Sequence, residues 1–276
     1  MSVSVRIKQK SLFKKKLNIN EIIEWTGLSY GVCDESYRLR DGETAEHTLL
    51  YNKNRLARGI DVSLDGTDVV LLLSLPTSPA EIREFYGVID RICGKLKVKT
   101  YIREEEQVSL NDKDKFIEYD ERGSIAGLED IREKIDSDEY KRLEIFGVLN
   151  PISLGLAEVG EIGDSLDSFE NYLHRIQSLD VYYAAPRVYR IGEKLVGIYA
   201  VGADIPSVVP DKPYIVLNRI QGIEEWYVMV KDGKTVRYED FINNAGEKQY
   251  YDANHVIVTL SDGDITDMVE RFYAEI

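Results

Sequence analysis

The chain has 276 residues, 43% hydrophobic and 30% charged, which provides for a packed core and excludes wholesale disorder. Its net charge of −14 opposes non-specific binding to nucleic acid and to anionic membranes, because both need a basic surface. Cys33 and Cys93 are too few for a disulfide framework. No signal peptide and no apolar run near ~18 residues is found, so a reducing cytoplasm is the expected setting and each thiol is expected to be a small buried hydrophobe.

In chain order, Val3, Val5 and Ile7 alternate with polar residues and predict a half-buried strand. Lys10, Lys14, Lys15 and Lys16 extend its basic side. They suit either a docking patch for an acidic partner or an edge strand guarded against aggregation, and the second reading is preferred. Asn20 is expected to cap a short helix through Ile22, Ile23 and Trp25 that ends at Gly27. Strands follow at Tyr30 to Leu39, Thr48 to Tyr51 and Ile60 to Leu64, with turns at Asp41-Gly42 and Asp65-Gly66.

Val69 to Leu73 is an unbroken apolar run, expected as a strand buried on both faces, or at least not at an edge. Leu75-Pro76 stops it. Ser78 then reads as a helix N-cap, Pro79 as the first helical residue and Glu81 as the carboxylate of a capping box. Ile82, Phe85, Ile89 and Ile92 form the apolar stripe of that helix.

From Leu96 onward charge rises. A strand is expected over Lys97 to Ile102, a solvated face at Glu104 to Glu106, and helices over Leu110 to Glu121 and Leu128 to Ile135. Leu143 to Leu149 reads as a strand before Asn150-Pro151. Gly155 to Gly163 reads as a loop, and Ser168 as the start of a helix. Further strands are expected at Val181 to Ala184, Val188 to Ile191, Leu195 to Val201, Tyr214 to Leu217 and Glu225 to Val230. Asp232-Gly233 turns the last of these back through Thr235 to Tyr238, while Pro206, Pro210 and Pro213 punctuate a loop.

Val256 to Leu260, a turn at Ser261 to Asp264, and a stripe of Ile265, Val269, Phe272, Tyr273 and Ile276 repeat the plan of the first strand–helix junction. Tyr37-Arg38-Leu39 and Tyr189-Arg190-Ile191 extend the correspondence upstream. An internal duplication is one reading; chance likeness between strand–helix units is the other.

The sequence has no GxxxxGK[ST] phosphate loop, GxGxxG, GxSxG, HExxH or CxxC. His47 follows Glu46, His255 follows Asp252 by three residues, and His174 lies one helical turn after Glu170, with which it is expected to pair. Asp262, Asp264 and Asp267 offer oxygen ligands to a divalent ion, but capping explains them equally well, so no metal and no cofactor is expected. Tyr182, Tyr183, Arg187, Tyr189 and Arg190 are the best binding candidates, since tyrosine and arginine combine area, planarity and hydrogen bonding.

Four segments, IKQKSLF, EHTLLYN, LPTSPAEIREFY and SLDVYYAAPRVY, together resemble a bacterial family known as a domain of unknown function. That resemblance implies a cytoplasmic bacterial protein and carries no activity, cofactor or site. The pattern Leu-Pro-x-x-x-x-Glu-Ile-x-x-Phe-Tyr also resembles strand–helix junctions of toxin-immunity and other bacterial interaction domains.

The expected fold is α+β with mostly antiparallel sheets: a β-rich unit over residues 1–96, a charged, largely helical connector or insert over 97–178 and a second β-rich unit over 179–276. The expected function is a non-enzymatic binding or interaction protein, immunity-like in one form. It would act through a protein partner or self-association, and not through nucleic acid or membrane. The competing expectation is a small-molecule enzyme, a hydrolase with scattered carboxylates and a histidine. Convergence of His47, His255 or the Asp262–Asp267 group with other titratable residues in one concavity would favour it.

Overall fold

The structure, a computed structural model, describes residues 1–10, 15–137 and 139–276. Lys14 and residues 11–13 of the IKQKSLF segment lie outside them. Among the described residues the fold is α+β, with seven α-helices and 18 strands in mostly antiparallel sheets. It divides into two compact units, Met1–Ser178 and Leu179–Ile276.

The first unit is built on an eight-stranded sheet. Its members are β1 (Ser2–Ile7), β2 (Ser29–Cys33), β3 (Leu39–Asp41), β4 (His47–Tyr51), β5 (Ile60–Asp65), β6 (Asp68–Ser74), β7 (Thr100–Arg103) and β8 (Glu106–Ser109). They run in the order β3-β2-β4-β5-β6-β1-β7-β8. β1 is therefore interior, between β6 and β7, and not the lysine-guarded edge expected from its sequence. The expected strand Tyr30 to Leu39 is a hairpin, because the Asp34 carboxylate gathers the amides of Ser36 and Arg38 into a turn. Val69, Leu71 and Leu73 of β6 are fully buried, but Leu72 is 36% exposed. Alternation holds even in an all-apolar strand, so the run is not buried on both faces, but it is no edge: β6 lies between β5 and β1.

Helices α1 (Ile19–Thr26) and α2 (Pro79–Leu96) cover the buried face. The cap of α1 is Asn18, two residues before the expected Asn20, with Glu21 completing its capping box. On α2, Ile82, Phe85, Ile89 and Ile92 enter the core as predicted. Ser78 caps the helix by accepting from the Glu81 amide at 3.1 Å. The Glu81 carboxylate does not return to Ser78. It accepts instead from the amides of Arg58 (3.1 Å) and Gly59 (2.6 Å) and from the Thr77 hydroxyl. Gly59 sits at φ +80°, and a Cβ there would lie 2.7 Å from Leu49, so glycine is required.

Residues 97–178, expected as a connector or insert, fall within this compact unit: β7 and β8 join the large sheet, and Glu104 and Glu105 make the tight turn between them. The two helices expected at 110–121 and 128–135 are one, α3 (Lys113–Asp136). Gly123 and Gly127 do not break it. A Cβ on Gly127 would approach Pro76 to 3.3 Å, so the glycine lets the helix lie against the Leu75-Pro76 turn. β9 (Leu143–Phe146) pairs with β10 (Pro151–Leu154). The expected glycine loop is then a helix, α4 (Leu156–Ile162), bounded by Gly155 and Gly163. α5 (Leu166–Gln177) starts at a Ser165 cap rather than at Ser168.

The second unit has two four-stranded sheets. One orders β11 (Tyr182–Tyr183), β14 (Ser207–Pro210), β18 (His255–Val258) and β17 (Lys248–Asp252). The other orders β12 (Arg187–Ile191), β13 (Lys194–Ala200), β15 (Ile223–Met229) and β16 (Thr235–Arg237). Tyr199, Val209, Val228, Val236 and Val258 share a core with α6 (Tyr238–Asn244) and α7 (Asp262–Phe272). The loop expected around Pro206, Pro210 and Pro213 holds β14, which starts after Pro206 and ends on Pro210, and the expected strand from Tyr214 is a 3-10 turn at Val216–Asn218. Both β6 and β18 follow a hairpin and lead into a capped helix. The likeness stops there. Tyr37 lies in a turn while Tyr189 lies within β12, and Tyr273 and Ile276 fall beyond the end of α7.

Candidate functional site

The five tyrosine and arginine candidates do not form one surface. The Ala184-Ala185-Pro186 break puts Tyr182 and Tyr183 in one sheet and Arg187, Tyr189 and Arg190 in the other. Within β11, Tyr182 is exposed and Tyr183 is buried at 7%. Within β12, alternation places Arg187 and Tyr189 on one face and Arg190 on the opposite one.

Tyr183 enters a buried polar network. The Asp252 carboxylate accepts from the amides of Asn254 and His255, each at 2.9 Å, and from His255 Nδ1 at 2.7 Å. That bond fixes the ring tautomer and leaves Nε2 as the acceptor. The hydroxyls of Tyr183 and Tyr214 lie 3.0 and 3.3 Å from Nε2. Burial pushes the Tyr183 phenol well above its ordinary value, so it stays protonated and donates to the imidazole. Asp252 and His255 were visible in the sequence as a pair three residues apart; Tyr214 carried no signal. The arrangement can orient a proton between tyrosine and imidazole. His255 and Asp252 are 2% and 1% exposed, so the atoms that would do acid–base work are enclosed. Their evident role is to close the β17–β18 turn.

His47 is at the surface of the first unit, with Nδ1 3.0 Å from Asp61. That hydrogen bond raises the imidazole pKa. The charged form therefore adds stability below the ordinary histidine value, and this is lost as pH rises through the raised folded one. In an NMR titration the His47 midpoint is expected above its ordinary value and Asp61→Asn is expected to lower it; an unmoved midpoint would contradict the pairing. His174 does not pair with Glu170: its Nδ1 accepts from the Leu56 amide at 3.1 Å, and Glu170 pairs with Arg55. Asp264 completes the Ser261 capping box and Asp262 pairs with Lys231 at 2.7 Å, so these carboxylates act as caps and surface partners. Among the described residues, no group of three or more His, Cys, Asp or Glu is arranged to hold a metal ion. Cys93 is buried, and burial followed by Asp90 pushes its thiol up to about 12.

What remains is β12. It ends one sheet and, among the described residues, pairs only with β13. Tyr189 is 44% exposed and Arg187 and Arg190 are also exposed. Among the described residues neither arginine forms an ion pair, although the chain carries 49 acidic residues against 35 basic ones. The opposite edge of the same sheet is covered: Tyr273 bridges to Val236, and the Ala274 amide donates to the Thr235 carbonyl at 2.9 Å.

No helix among the described residues is long and apolar enough to cross a membrane. A protein-family model with the description Domain of unknown function (DUF4299) matches residues 2–268. No curated protein and no solved structure matches the chain.

Proposed function

The chain belongs to the DUF4299 domain-of-unknown-function family, and since that description names no activity we propose from its own surfaces a non-enzymatic interaction protein that holds another protein on β12. The observation that carries this reading is the pair of uncompensated arginines, Arg187 and Arg190, flanking exposed Tyr189 on an open strand. Arginine and tyrosine are enriched where interfaces concentrate their binding energy. A cytoplasmic setting goes with this role, because Cys33 and Cys93 are free thiols.

The test is affinity capture from native lysate with wild type beside an Arg187→Ala, Arg190→Ala double variant, after both are seen to melt alike. A partner held by wild type and lost from the variant is expected. A partner held equally by both would overturn the assignment of the surface.

The Asp252–His255–Tyr183 network favours a second reading, a small-molecule hydrolase. It ranks below the first because the network is enclosed. A compound that stabilises wild type but not His255→Asn in a thermal-shift screen would reverse that order.

A further inference from the structure

We propose that β12 takes up its partner by strand addition, and that the partner is an extended segment with two acidic residues three positions apart. The inference rests on the interaction reading and adds the chemistry of the occupant.

Hydrogen-bond parity gives the geometry. Ile191 and Lys194 face each other across the two-residue Gly192-Glu193 turn, with Gly192 at φ +60°. The pair closing such a turn exchanges both of its backbone bonds. The pairs Tyr189↔Val196 and Arg187↔Ile198 follow at steps of two, so Arg187, Tyr189 and Ile191 spend their backbone groups on β13. Val188 and Arg190 therefore point N–H and C=O outward from the sheet. Among the described residues neither has a backbone partner on that side. Pro186 holds the next outward position and has no N–H to offer, and Gly192 opens the turn at the other end. An added strand is confined to Val188 and Arg190.

Charge gives the sequence of the occupant. Arg187 and Arg190 lie on opposite faces of the strand, three residues apart. An added strand meets them with residues that are also three apart, whether it runs parallel or antiparallel. A carboxylate at each position pairs cross-strand with an arginine, and β-branched or aromatic residues between them face Val188 and Tyr189. A second copy of β12 is the poorer occupant, since it would bring the arginines of both copies together with no carboxylate on either strand. The same arginines deter addition of neutral or basic edges, so selectivity and protection of the edge come from one pair of side chains.

The probe is the capped hexapeptide Thr-Glu-Val-Thr-Glu-Thr, with lysine replacing both glutamates as control. Binding is measured by NMR titration, and amide exchange is followed in the wild-type protein. The glutamate peptide is expected to bind and to slow exchange of the Val188 and Arg190 amides, while the Tyr189 amide is already protected without it. Val188→Pro removes an outward N–H and no backbone bond to β13. It should leave melting near wild type and weaken the peptide at least about tenfold. No binding at millimolar peptide, binding without protection of those two amides, equal binding of the lysine peptide, or full binding to Val188→Pro would each overturn strand addition. If Val188→Pro still captures a partner that the double arginine variant loses, the interaction reading stands and strand addition falls. If the double variant keeps its partner, the assignment of the binding surface to β12 has failed, and strand addition there falls with it.

Discussion

Arg103→Ala is expected to cost about 3–5 kcal/mol in urea denaturation, because it strands a carboxylate inside the first unit. Asp120 on α3 is 1% exposed. It is held by Arg103 at the end of β7 and by the Tyr86 hydroxyl of α2 at 2.6 Å. Arg103 also donates to Tyr86 at 3.3 Å and lies over the rings of Phe116 and Tyr119. One ion pair thus ties sheet, covering helix and outer helix together. Burial already raises the Asp120 pKa against the lowering effects of Tyr86 and Arg103. Losing the arginine raises it further, so the deficit of the variant should shrink as pH falls and the carboxyl takes up a proton. Arg103→Met with Asp120→Leu removes both charges and should recover most of the loss, since apolar replacement of a buried pair is often neutral. A single-variant cost under about 1 kcal/mol would place the pair among solvent-screened ones and refute this account.

The second large effect is expected at Glu81. As the carboxylate of a capping box it would be worth about 1 kcal/mol, similar to Ser78→Ala. In the fold it accepts from the Arg58 and Gly59 amides and from the Thr77 hydroxyl. Glu81→Ala leaves these donors without their acceptor, and about 3–5 kcal/mol should be lost, at about 1–3 kcal/mol for each buried unmet group. The Arg58 guanidinium, which donates to the carbonyls of Phe146 and Pro76, would lose the anchor of its own backbone. Comparing Ser78→Ala with Glu81→Ala in one denaturation series decides between the two roles. Equal small costs would restore the capping box.

These two sites show where sequence reading succeeds and where it stops. The junction from Val69 to Ile92 was legible because strand, stop, cap and stripe are local signals, and the stripe of Ile82, Phe85, Ile89 and Ile92 is in the core. The partner of Glu81 was not legible, because Arg58 and Gly59 reach it through a fold contact that no spacing rule encodes. The two helices expected at 110–121 and 128–135 are one, and the contact that Gly127 makes room for, the Leu75-Pro76 turn, was not legible because it lies far back in the chain. β14 was hidden by the prolines around it. In the candidate site, residue types were informative and their grouping was not. Arg187, Tyr189 and Arg190 were visible as a strand, but Pro186 separates that strand from Tyr183, whose hydroxyl belongs to His255.

The sheet that carries β12 is closed on its far side by Tyr273 and Ala274. Growth by edge pairing needs two free borders on each unit, one to give and one to receive, as any filament does. This sheet has one. The valence of this sheet for added strands is therefore unity: a complex formed on β12 is complete at a single guest, and this sheet cannot be strung into a ribbon with copies of itself. Removing the chain from Tyr273 onward would raise that valence to two and turn a terminated complex into a monomer for polymerisation.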